Sequence, residues 1–444
     1  MGCSQDTLRI TSPTFNTRPR NEMRLIISSR KLLRCNRGMS TATTEPASPL
    51  PEPKSKRLVA LDAFRGFDMF WIVGGESLIV ALAKLGHGQV SEAIEAQMEH
   101  KSWSGVAFYD LIFPTFAFII GVSLVFSLSR TLTEVGRAAA IRRILVRSFI
   151  LFLVGVFYYN GLADGWDKVR WVGVLQRLAI GYCGAGILFC FFKARGLAIS
   201  AAVILIGYWA MLTFVPIRDV NLERKQARQL MQEKGKTNVA DLYYSTTARV
   251  TGKFDDGLNV VQHFDFEHLP GRKYDGNYDP EGILSNIPAV ATCLLGALVG
   301  LFLKNSNKSS QQKVAFLCLA GFISVGLGFL WGIQFPVIKK IWTSSYVLVA
   351  AGYSTLGLAL FYQVIEVWGF SKWATPFVWI GMNPITIYIA FSILSFSKLA
   401  DRFVGGPVRA SLNSYFPLVH SAMVVLLMFL FVRFLYKRKI FLRL

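Results

Sequence analysis

A histidine and an aspartate stand ten residues apart in MEHKSWSGVAFYDLIFPTF, where a long apolar run begins. Pro114 lies four residues after Asp110 and has no N–H, so the carbonyl of Asp110 loses its helical partner and a polar pocket can form there. If residues 100–110 were helical, His100, Trp103 and Asp110 would fall within an arc of roughly 80°. An imidazole at such a pocket can serve as a base or a nucleophile. A lone histidine is also common as an interfacial residue, and the spacing leaves both interpretations open.

The apolar run LVALDAFRGFDMFWIVGGESLIVALAKL contains four ionisable residues, Asp62, Arg65, Asp68 and Glu76. On one continuous helix they share a face, which must be turned toward other helices or a wet cavity because lipid cannot solvate it. The first three can form a structural ladder of ion pairs three residues apart, or they can bind a polar substrate. Glu76 follows two glycines and has no evident partner, which favours a functional role.

Polar residues also interrupt two later apolar runs. VGVLQRLAIGY contains Gln176 and Arg177. The arginine can neutralise an acid of the first run, or it can bind a phosphate or carboxylate. GMNPITIY places Asn383 beside Pro384, which deprives a helical carbonyl of its partner. These residues are therefore further candidates for a binding site.

A long polar segment, 216–281, separates two apolar runs and is predicted to be an extracytoplasmic loop insertion. It contains a predicted short helix over Leu222–Lys234 and ends in YDPEG. Asp279 as N-cap, Pro280 as first helical residue and Glu281 in the first turn would start a helix well. Capping and substrate binding both explain these residues. A loop of this length is usually functional or flexible, so it could cover a site.

The apolar runs themselves predict the fold. Of 444 residues, 53% are hydrophobic and 14% aromatic, and the mean hydropathy is +0.42. A helix needs roughly 20 mostly apolar residues to cross a bilayer, and no alternating barrel strands are apparent. Candidate spans begin near Leu58, Phe108, Ile144, Val172, Leu197, Ile283, Val314, Tyr346, Pro376 and Pro417. We therefore predict an all-α, polytopic transmembrane helical bundle of about ten spans.

The formal net charge of +21 follows the predicted topology. Lysine and arginine concentrate at helix ends and in alternate short loops, which is the positive-inside pattern of membrane proteins. Both termini are therefore predicted to be cytoplasmic, with His100 on the opposite side. The charge predicts the lipid bilayer as a partner and no nucleic acid.

Two further expectations concern organisation and metals. Residues 1–57 are polar and then proline-rich, which predicts a disordered N-terminal extension; it could be a transit peptide, or translation could start at Met39. The transmembrane domain is predicted to occupy residues 58–440. Six scattered cysteines and five histidines form no ligand pattern, so no disulfide framework and no metal site are predicted.

Six motifs occur in an order that resembles a known family. They are LDAFRGFDMFWIVGGE, HKSWSGVAFYDLIFPTFAFIIG, VLQRLAIGY, YDPEGILSNIPAVATCLLGALVG, WTSSYVLVAAGY and GMNPITIYI. Together they resemble the membrane region of the heparan-α-glucosaminide N-acetyltransferase family and its bacterial relatives, over roughly residues 57–440. The family moves an acetyl group from acetyl-CoA to a glucosamine amine on the far side of a membrane.

The resemblance implies specific roles. His100 matches the family histidine in its H-x-S-W-x-G context, so it becomes the expected acetyl acceptor or general base, with Asp110 beside it. Glu76 stands where the family has a participating asparagine, which alters the expected chemistry. The remaining candidates are expected to bind acetyl-CoA or the acceptor: Asp62, Arg65, Asp68, Trp103, Gln176, Arg177, Asp279, Glu281 and Asn383.

The acceptor is expected to be an amino sugar or glycan, modified by N- or O-acylation. Because the family's lumenal domain is not found in this sequence, heparan itself is not the expected acceptor, and a bacterial inner membrane is the expected location. The family also suggests a homodimer. A transporter or permease for a small sugar or anion is the alternative, since intramembrane charges and proline-broken spans are common in transporters.

Overall fold

The computed structural model describes residues 58–86 and 88–441. The predicted disordered extension over 1–57, including the possible start at Met39, lies outside these residues. Within them the chain is mostly helical, and its strands are limited to four short segments that form two antiparallel pairs.

The described helices and strands follow one another along the chain. The helices are α1 (Val59–Phe70), α2 (Glu76–Ala83), α3 (Gln89–Met98), α4 (Phe108–Glu134), α5 (Arg137–Tyr158), α6 (Val174–Phe191), α7 (Ala194–Phe214), α8 (Arg224–Glu233), α9 (Val239–Ser245), α10 (Val260–His268), α11 (Asn286–Lys304), α12 (Ser310–Gly332), α13 (Ser344–Tyr362), α14 (Thr375–Met382), α15 (Pro384–Ile393), α16 (Phe396–Val404), α17 (Pro407–Leu412) and α18 (Phe416–Lys437). The strands are β1 (Ile217–Arg218), β2 (Arg249–Val250), β3 (Phe254–Asp255) and β4 (Leu258–Asn259), and β1 pairs with β2 and β3 with β4.

Among the described residues, eight helical segments are long and apolar enough to cross a membrane. The number becomes nine if the stretch Lys372–Met382 and α15 count as one span; the two are bent by 71° where Asn383 precedes Pro384. The remaining predicted span lies in α5, but every 18-residue stretch of α5 contains Arg142, Arg143 and Arg147. The prediction of an all-α polytopic bundle is confirmed, and the chain is an integral multi-pass membrane protein.

Glycines bring pairs of helices into backbone contact at the centre of the bundle. A Cβ atom on Gly121 of α4 would overlap the carbonyl oxygen of Cys293 in α11, and one on Gly296 would overlap that of Phe118. Such close approach gives strong van der Waals packing where no hydrophobic effect operates between helices. The helix that carries Asp110 is therefore held firmly against α11.

The first span departs from the predicted single helix. It unwinds at Trp71–Gly75, where Gly74 has a φ of 137°, a conformation that side chains other than glycine rarely adopt. Glu76 begins a new helix after this break, so the prediction that it continues the polar face of Asp62 is wrong. Of the ladder considered for Asp62, Arg65 and Asp68, one pair is present, since Arg65 Nη2 lies 2.5 Å from Asp62 Oδ1.

The long insertion also differs from its prediction at one end. The short helix expected over Leu222–Lys234 is present as α8. The helix expected to start at Asp279 instead begins at Asn286, so the capping interpretation of Asp279 is wrong. The carboxylate of Asp279 bonds to Arg170 and to the backbone of its own turn, which keeps residues 279–285 out of the helix.

Four loops meet at one end of the helices. They span 99–107, 159–173, 216–285 and 333–343. Isolated bridges join Ser104 to Ile338 and Arg170 to Gly271, and the indole N–H of Trp103 donates to the carbonyl of Phe254 at 2.8 Å. These contacts connect all four loops, and the cavity described next lies among them.

Candidate active site

A cavity of about 380 Å³ opens where the four loops meet the ends of α4, α5, α6 and α15. Its walls combine aromatic rings with groups of both charges, which is the usual composition of a small-molecule site. The lining residues are His100, Lys101, Trp103, Gly105, Asp110, Phe113, Tyr158, Tyr159, Arg170, Arg177, Tyr274, Asp275, Pro280, Glu281, Lys339, Lys340, Trp342 and Tyr388. Five of the predicted site residues are among them: His100, Trp103, Asp110, Arg177 and Glu281.

His100 and Asp110 are in direct contact in this cavity. His100 Nδ1 lies 2.8 Å from Asp110 Oδ1, and the imidazole ring lies beside the ring of Tyr109 with centroids 4.9 Å apart. The His100 side chain is 54% exposed, whereas that of Asp110 is 1% exposed. A buried carboxylate thus orients an accessible imidazole, which is the arrangement that general-base and nucleophilic catalysis require.

Asp110 is fixed by the start of α4. Its Oδ2 accepts the backbone N–H of Ala107 at 3.1 Å and that of Lys101 at 3.2 Å. The helix continues unbroken through Pro114, and the carbonyl that this proline leaves without an N–H accepts the hydroxyl of Tyr346 at 2.7 Å. The freed carbonyl predicted from the sequence is therefore used to anchor α13 against α4.

The segment between His100 and α4 is a loop, so the predicted helical arc of His100, Trp103 and Asp110 is wrong. Gly105 has a φ of 103° and its N–H donates to the carbonyl of Val337 at 2.9 Å. This left-handed turn folds the segment back on itself. The three side chains still line one cavity because the loop, rather than a helix, brings them together.

Lys339, which no sequence pattern singled out, contacts both His100 and Asp110. Lys339 Nζ lies 3.2 Å from Asp110 Oδ1, 2.9 Å from His100 Nδ1 and 3.5 Å from His100 Nε2. A turn closed by the N–H of Trp342 to the carbonyl of Lys339 presents this side chain. Burial lowers the pKa of Lys339, and the charge of Asp110 opposes that shift.

The opposite wall of the cavity is built on Arg170. Its guanidinium donates to both carboxylate oxygens of Asp279, at 2.9 and 2.7 Å, and to Glu281 Oε2 at 2.6 Å. It also lies over the rings of Tyr159 and Tyr274. Burial alone would lower the pKa of Arg170, but the hydrogen bonds and charge of Asp279 raise it above its usual value. The arginine therefore stays charged and holds the loop that carries Glu281.

Arg177 is buried where α6 meets the same loop. Its Nη2 donates to the carbonyl of Pro280 at 2.9 Å and to the hydroxyl of Ser285, and its guanidinium lies 4.5 Å from the ring centre of Trp342. Its Nε has no hydrogen-bond partner among the described residues. Of the two alternatives considered for Arg177, a contact with an acid of the first span is not present among the described residues; the side chain packs instead against the insertion and Trp342.

Seven predicted site residues do not line the cavity, namely Asp279 behind Arg170 and six others. Asp62 and Arg65 pair with each other, and Arg65 Nε also donates to the carbonyl of Gly381 at 2.6 Å.

The amide of Asn383 donates to the carbonyl of Ile440 at 2.9 Å, and that of Gln176 to the carbonyl of Arg170 at 3.4 Å. The other two are Asp68, which is buried, and Glu76, which accepts the hydroxyl of Ser77. Their roles at a site remain predictions, as does the role of Asp279 behind Arg170.

Several lining residues were missed because nothing local distinguishes them. In the sequence, Lys339, Lys340 and Arg170 are three of many basic residues in loops between apolar runs, and the tyrosines belong to no pattern of reactive residues. The stacked pair Tyr158 and Tyr388, with ring centres 4.8 Å apart, comes from helices that are distant in sequence. Among the described residues, no group of three or more histidine, cysteine or acidic side chains is placed to hold a metal ion.

A search against protein-family models finds no match. Two curated relatives are both named heparan-alpha-glucosaminide N-acetyltransferase. The Mus musculus protein is 27% identical over 403 residues, and the Homo sapiens protein is 28% identical over 404 residues. The resemblance inferred from the motifs is confirmed.

Each alignment covers 80% of this chain but only 57% and 56% of the relatives, so the chain spans about half their length. Neither name describes a transporter, so the comparisons give that alternative no support.

Behind the cavity wall lies a buried acid, Asp265 of α10. Its Oδ1 accepts the N–H of Ile283 at 2.9 Å, while its Oδ2 has no hydrogen-bond partner among the described residues. Burial raises the pKa of Asp265 to about 7. The neighbouring His263 has the opposite shift, because burial lowers its pKa to about 4. The turn that carries Glu281 is therefore hydrogen-bonded to an acid whose pKa is higher in the folded protein than in the unfolded chain.

Replacing Asp265 with asparagine is expected to change how stability depends on pH. The folded pKa of about 7 lies above the unfolded value of about 3.9, so the acid's contribution is favourable at low pH and is lost as pH rises between these values. From pH 4 to pH 8 the stability of Asp265→Asn should therefore improve relative to wild type by up to about 4 kcal/mol. Comparison of the two proteins at each pH removes the contribution of His263.

Unfolding in detergent at pH 4, 6 and 8 measures this effect. Asp219→Asn, which changes an exposed acid at the start of the same insertion, is the matched control and should track wild type at every pH. A constant difference between Asp265→Asn and wild type across the range would contradict the prediction.

Proposed function

We propose that this protein is a membrane acetyltransferase that moves an acetyl group from acetyl-CoA to an amino sugar or glycan on the extracytoplasmic side. The observation that carries the proposal is the contact of exposed His100 with buried Asp110 inside a cavity of substrate size. The names of the two curated relatives support the reaction type. A bacterial cytoplasmic membrane remains the proposed location.

The charges of the cavity fit a polyanionic donor. Lys101, Lys339, Lys340 and Arg177 contribute four positive groups to its lining. Two of them already face carboxylates, since Lys339 contacts Asp110 and Lys340 lies 3.5 Å from Asp256 and 3.8 Å from Asp275. Arg170 is neutralised by Asp279 and Glu281. Clustered cations in a cleft concentrate an anionic ligand and bind its phosphates. We propose that these groups hold the phosphates of acetyl-CoA, which brings the thioester to the imidazole.

The aromatic wall fits a sugar acceptor. Tyr158, Tyr159, Tyr274 and Tyr388 line the cavity together with Trp103. Tyr158 and Tyr388 stack on each other, and Arg170 lies over the rings of the other two tyrosines. Such side chains combine an apolar face for a pyranose ring with polar tips for its hydroxyl groups. The carboxylate of Glu281 lies in the same wall, and we propose that it attracts the ammonium form of an amino sugar.

Two routes transfer the acetyl group with the same residues. In the first, Nε2 of His100 attacks the thioester carbonyl, the C–S bond breaks and CoA leaves as a thiolate. The acceptor amine then attacks the acetyl-imidazole, the bond to Nε2 breaks, and the amine proton passes to the imidazole. In the second, the amine attacks the thioester directly while Nε2 takes its proton and returns it to the leaving thiolate. In both, Asp110 orients the ring through Nδ1.

A transfer assay with purified protein tests the proposal. Radiolabelled acetyl-CoA should label glucosamine-terminated oligosaccharides, because their free amine is the expected acceptor, and label should be lost when the acetyl donor is omitted. Oligosaccharides that are already N-acetylated separate the two chemistries, since label on them would indicate O-acylation. Sugar uptake into proteoliposomes without consumption of acetyl-CoA would overturn the proposal.

A further inference from the structure

The ammonium group of Lys339 lies over the face of the His100 ring. Its Nζ atom is 2.9 Å from Nδ1 and 3.5 Å from Nε2 of the imidazole. A donor in the ring plane, placed outward from Nδ1, would be much farther from Nε2 than from Nδ1. The two similar distances therefore put the ammonium above the ring, on the side of Nδ1.

The hydrogen bond of Nδ1 belongs to Asp110. Its Oδ1 atom lies 2.8 Å from Nδ1, and because a carboxylate can only accept, Nδ1 carries the proton. A neutral imidazole has one N–H and one lone pair, so the lone pair is on Nε2. Lys339 lies above the ring and does not bond to that pair. His100 is thus held in the tautomer that the proposed reaction uses.

Two opposite charges therefore act on the imidazole from nearly the same distance. The carboxylate of Asp110 favours a positively charged ring, whereas a second cation about 3 Å from Nδ1 disfavours it. Lys339 Nζ also lies 3.2 Å from Asp110 Oδ1, which favours the charged form of the lysine and offsets part of the carboxylate's charge. Both contacts of Lys339 oppose protonation of His100.

Other titratable groups lie around this cluster but do not bond to the imidazole. They come from α2, α4, α6 and the loops: Glu76, Lys101, Tyr109, Arg177, Glu281 and Lys340. Among the described residues, none of them makes a hydrogen bond or ion pair with His100; Tyr109 contributes a ring beside it. Glu281 and Arg177 act on Lys339 with opposite signs. The direct charges on the ring are those of Asp110 and Lys339.

We infer that Lys339 is a positioning residue that keeps the imidazole of His100 uncharged while Asp110 orients it. The inference deepens the proposed function and rests on it, because both routes of transfer require a free lone pair on Nε2. A charged imidazole has no lone pair, and Asp110 alone would favour that form. Lys339 therefore extends the reactive form of His100 to lower pH without bonding to the reacting atom.

A ¹⁵N NMR titration of histidine-labelled protein tests this role directly. The His100 signals, assigned by their loss in His100→Gln, report the charge of the ring at each pH. In Lys339→Met the midpoint of this titration should rise by at least about one pH unit, because the opposing cation is lost and Asp110 then acts alone. A side chain that only filled space would leave the midpoint unchanged, since methionine is also long and unbranched.

Three further variants of the same loop refine the test. Lys339→Arg keeps a positive charge over the ring and should titrate close to wild type. Lys339→Gln is a second uncharged variant and should shift the midpoint in the same direction as Lys339→Met. Lys340→Met removes the next lysine, whose ammonium faces Asp256 and Asp275 instead of His100, and should leave the midpoint unchanged.

The pH dependence of acetyl transfer gives a second readout. A general base or nucleophile loses activity as it becomes protonated, so the acidic limb of the rate profile should move upward in Lys339→Met by the same interval as the NMR midpoint. Equal midpoints in wild type, Lys339→Met and Lys339→Gln would overturn the inference, as would lower midpoints in the two variants.

The titration does not depend on acetyl transfer, so the two proposals can fail separately. If His100→Ala retains transferase activity, the proposed function fails. If His100→Ala is inactive but the midpoints of wild type and Lys339→Met coincide, only the role of Lys339 fails.

Discussion

Replacing His100 with alanine is expected to lower acetyl transfer by at least about 10²–10⁴-fold, the range for loss of a general acid or base. If the acetyl group passes through the imidazole, no transfer should remain. The fold should survive, because the side chain is half exposed and, among the described residues, its polar contacts are with Asp110 and Lys339. Loss of activity would then reflect chemistry rather than unfolding.

The measurement is initial transfer rate from labelled acetyl-CoA, with thermal unfolding and size-exclusion profiles as checks of folding. His268→Ala is the matched control, since His268 is equally exposed, lies in the extramembrane insertion and does not line the cavity. It should keep wild-type activity. A folded His100→Ala protein with substantial activity would remove the imidazole from the mechanism.

A single-turnover experiment separates the two routes of transfer. Incubation with labelled acetyl-CoA in the absence of acceptor should label the protein at His100 if the covalent route operates. Peptide mapping of the rapidly quenched protein locates the label. Direct transfer instead predicts no labelled histidine and no release of CoA until an amino sugar is added.

The membrane-spanning helices could be predicted because each is determined by an apolar run within its own segment of the sequence. An apolar run of about 20 residues has few alternatives to a membrane helix, and α4 begins at Phe108 as the sequence indicated. The first span shows the limit of this reasoning. Its residues suit one continuous helix, but Gly74 permits a break that no periodicity reveals. Glu76 was assigned to the wrong face for that reason.

The DPEG motif shows why a correct local pattern can still mislead. Asp279, Pro280 and Glu281 have the residue types of a helix start, but Arg170 binds both carboxylates from 109 and 111 positions away. A bidentate contact to a charged group outweighs an N-cap bond, which is worth about 1 kcal/mol. Such a partner is visible only in three dimensions.

The residues of the candidate site also fall into two groups, those close together in the sequence and those brought together only by the fold. His100 and Asp110 are close in sequence and were found by their spacing and by resemblance. Lys339 lies 229 residues beyond Asp110 and reaches it only because α13 packs on α4, where Tyr346 binds the carbonyl of Asp110. One lysine among 48 basic residues carries no mark of its role in the sequence. Packing of the spans therefore determines which charges join the histidine.

Replacing Arg170 with leucine is expected to have the largest effect on stability. The side chain is 6% exposed, and its removal would leave the buried carboxylate of Asp279 and the partly buried carboxylate of Glu281 without this cation. Breaking a buried ion pair in this way costs about 3–5 kcal/mol. The turn 279–285 should loosen, and the cavity should lose its wall around Glu281.

Unfolding in detergent, followed by tryptophan fluorescence, measures this loss. Lys168→Leu makes the same change of charge two residues earlier, at an exposed side chain, and should alter stability by no more than about 0.5 kcal/mol. Arg170→Lys is the more demanding comparison. A lysine retains the charge but cannot donate in parallel to both oxygens of Asp279, so it should recover only part of the stability. Full recovery with lysine would show that charge alone, and not the bidentate geometry, holds this wall of the cavity.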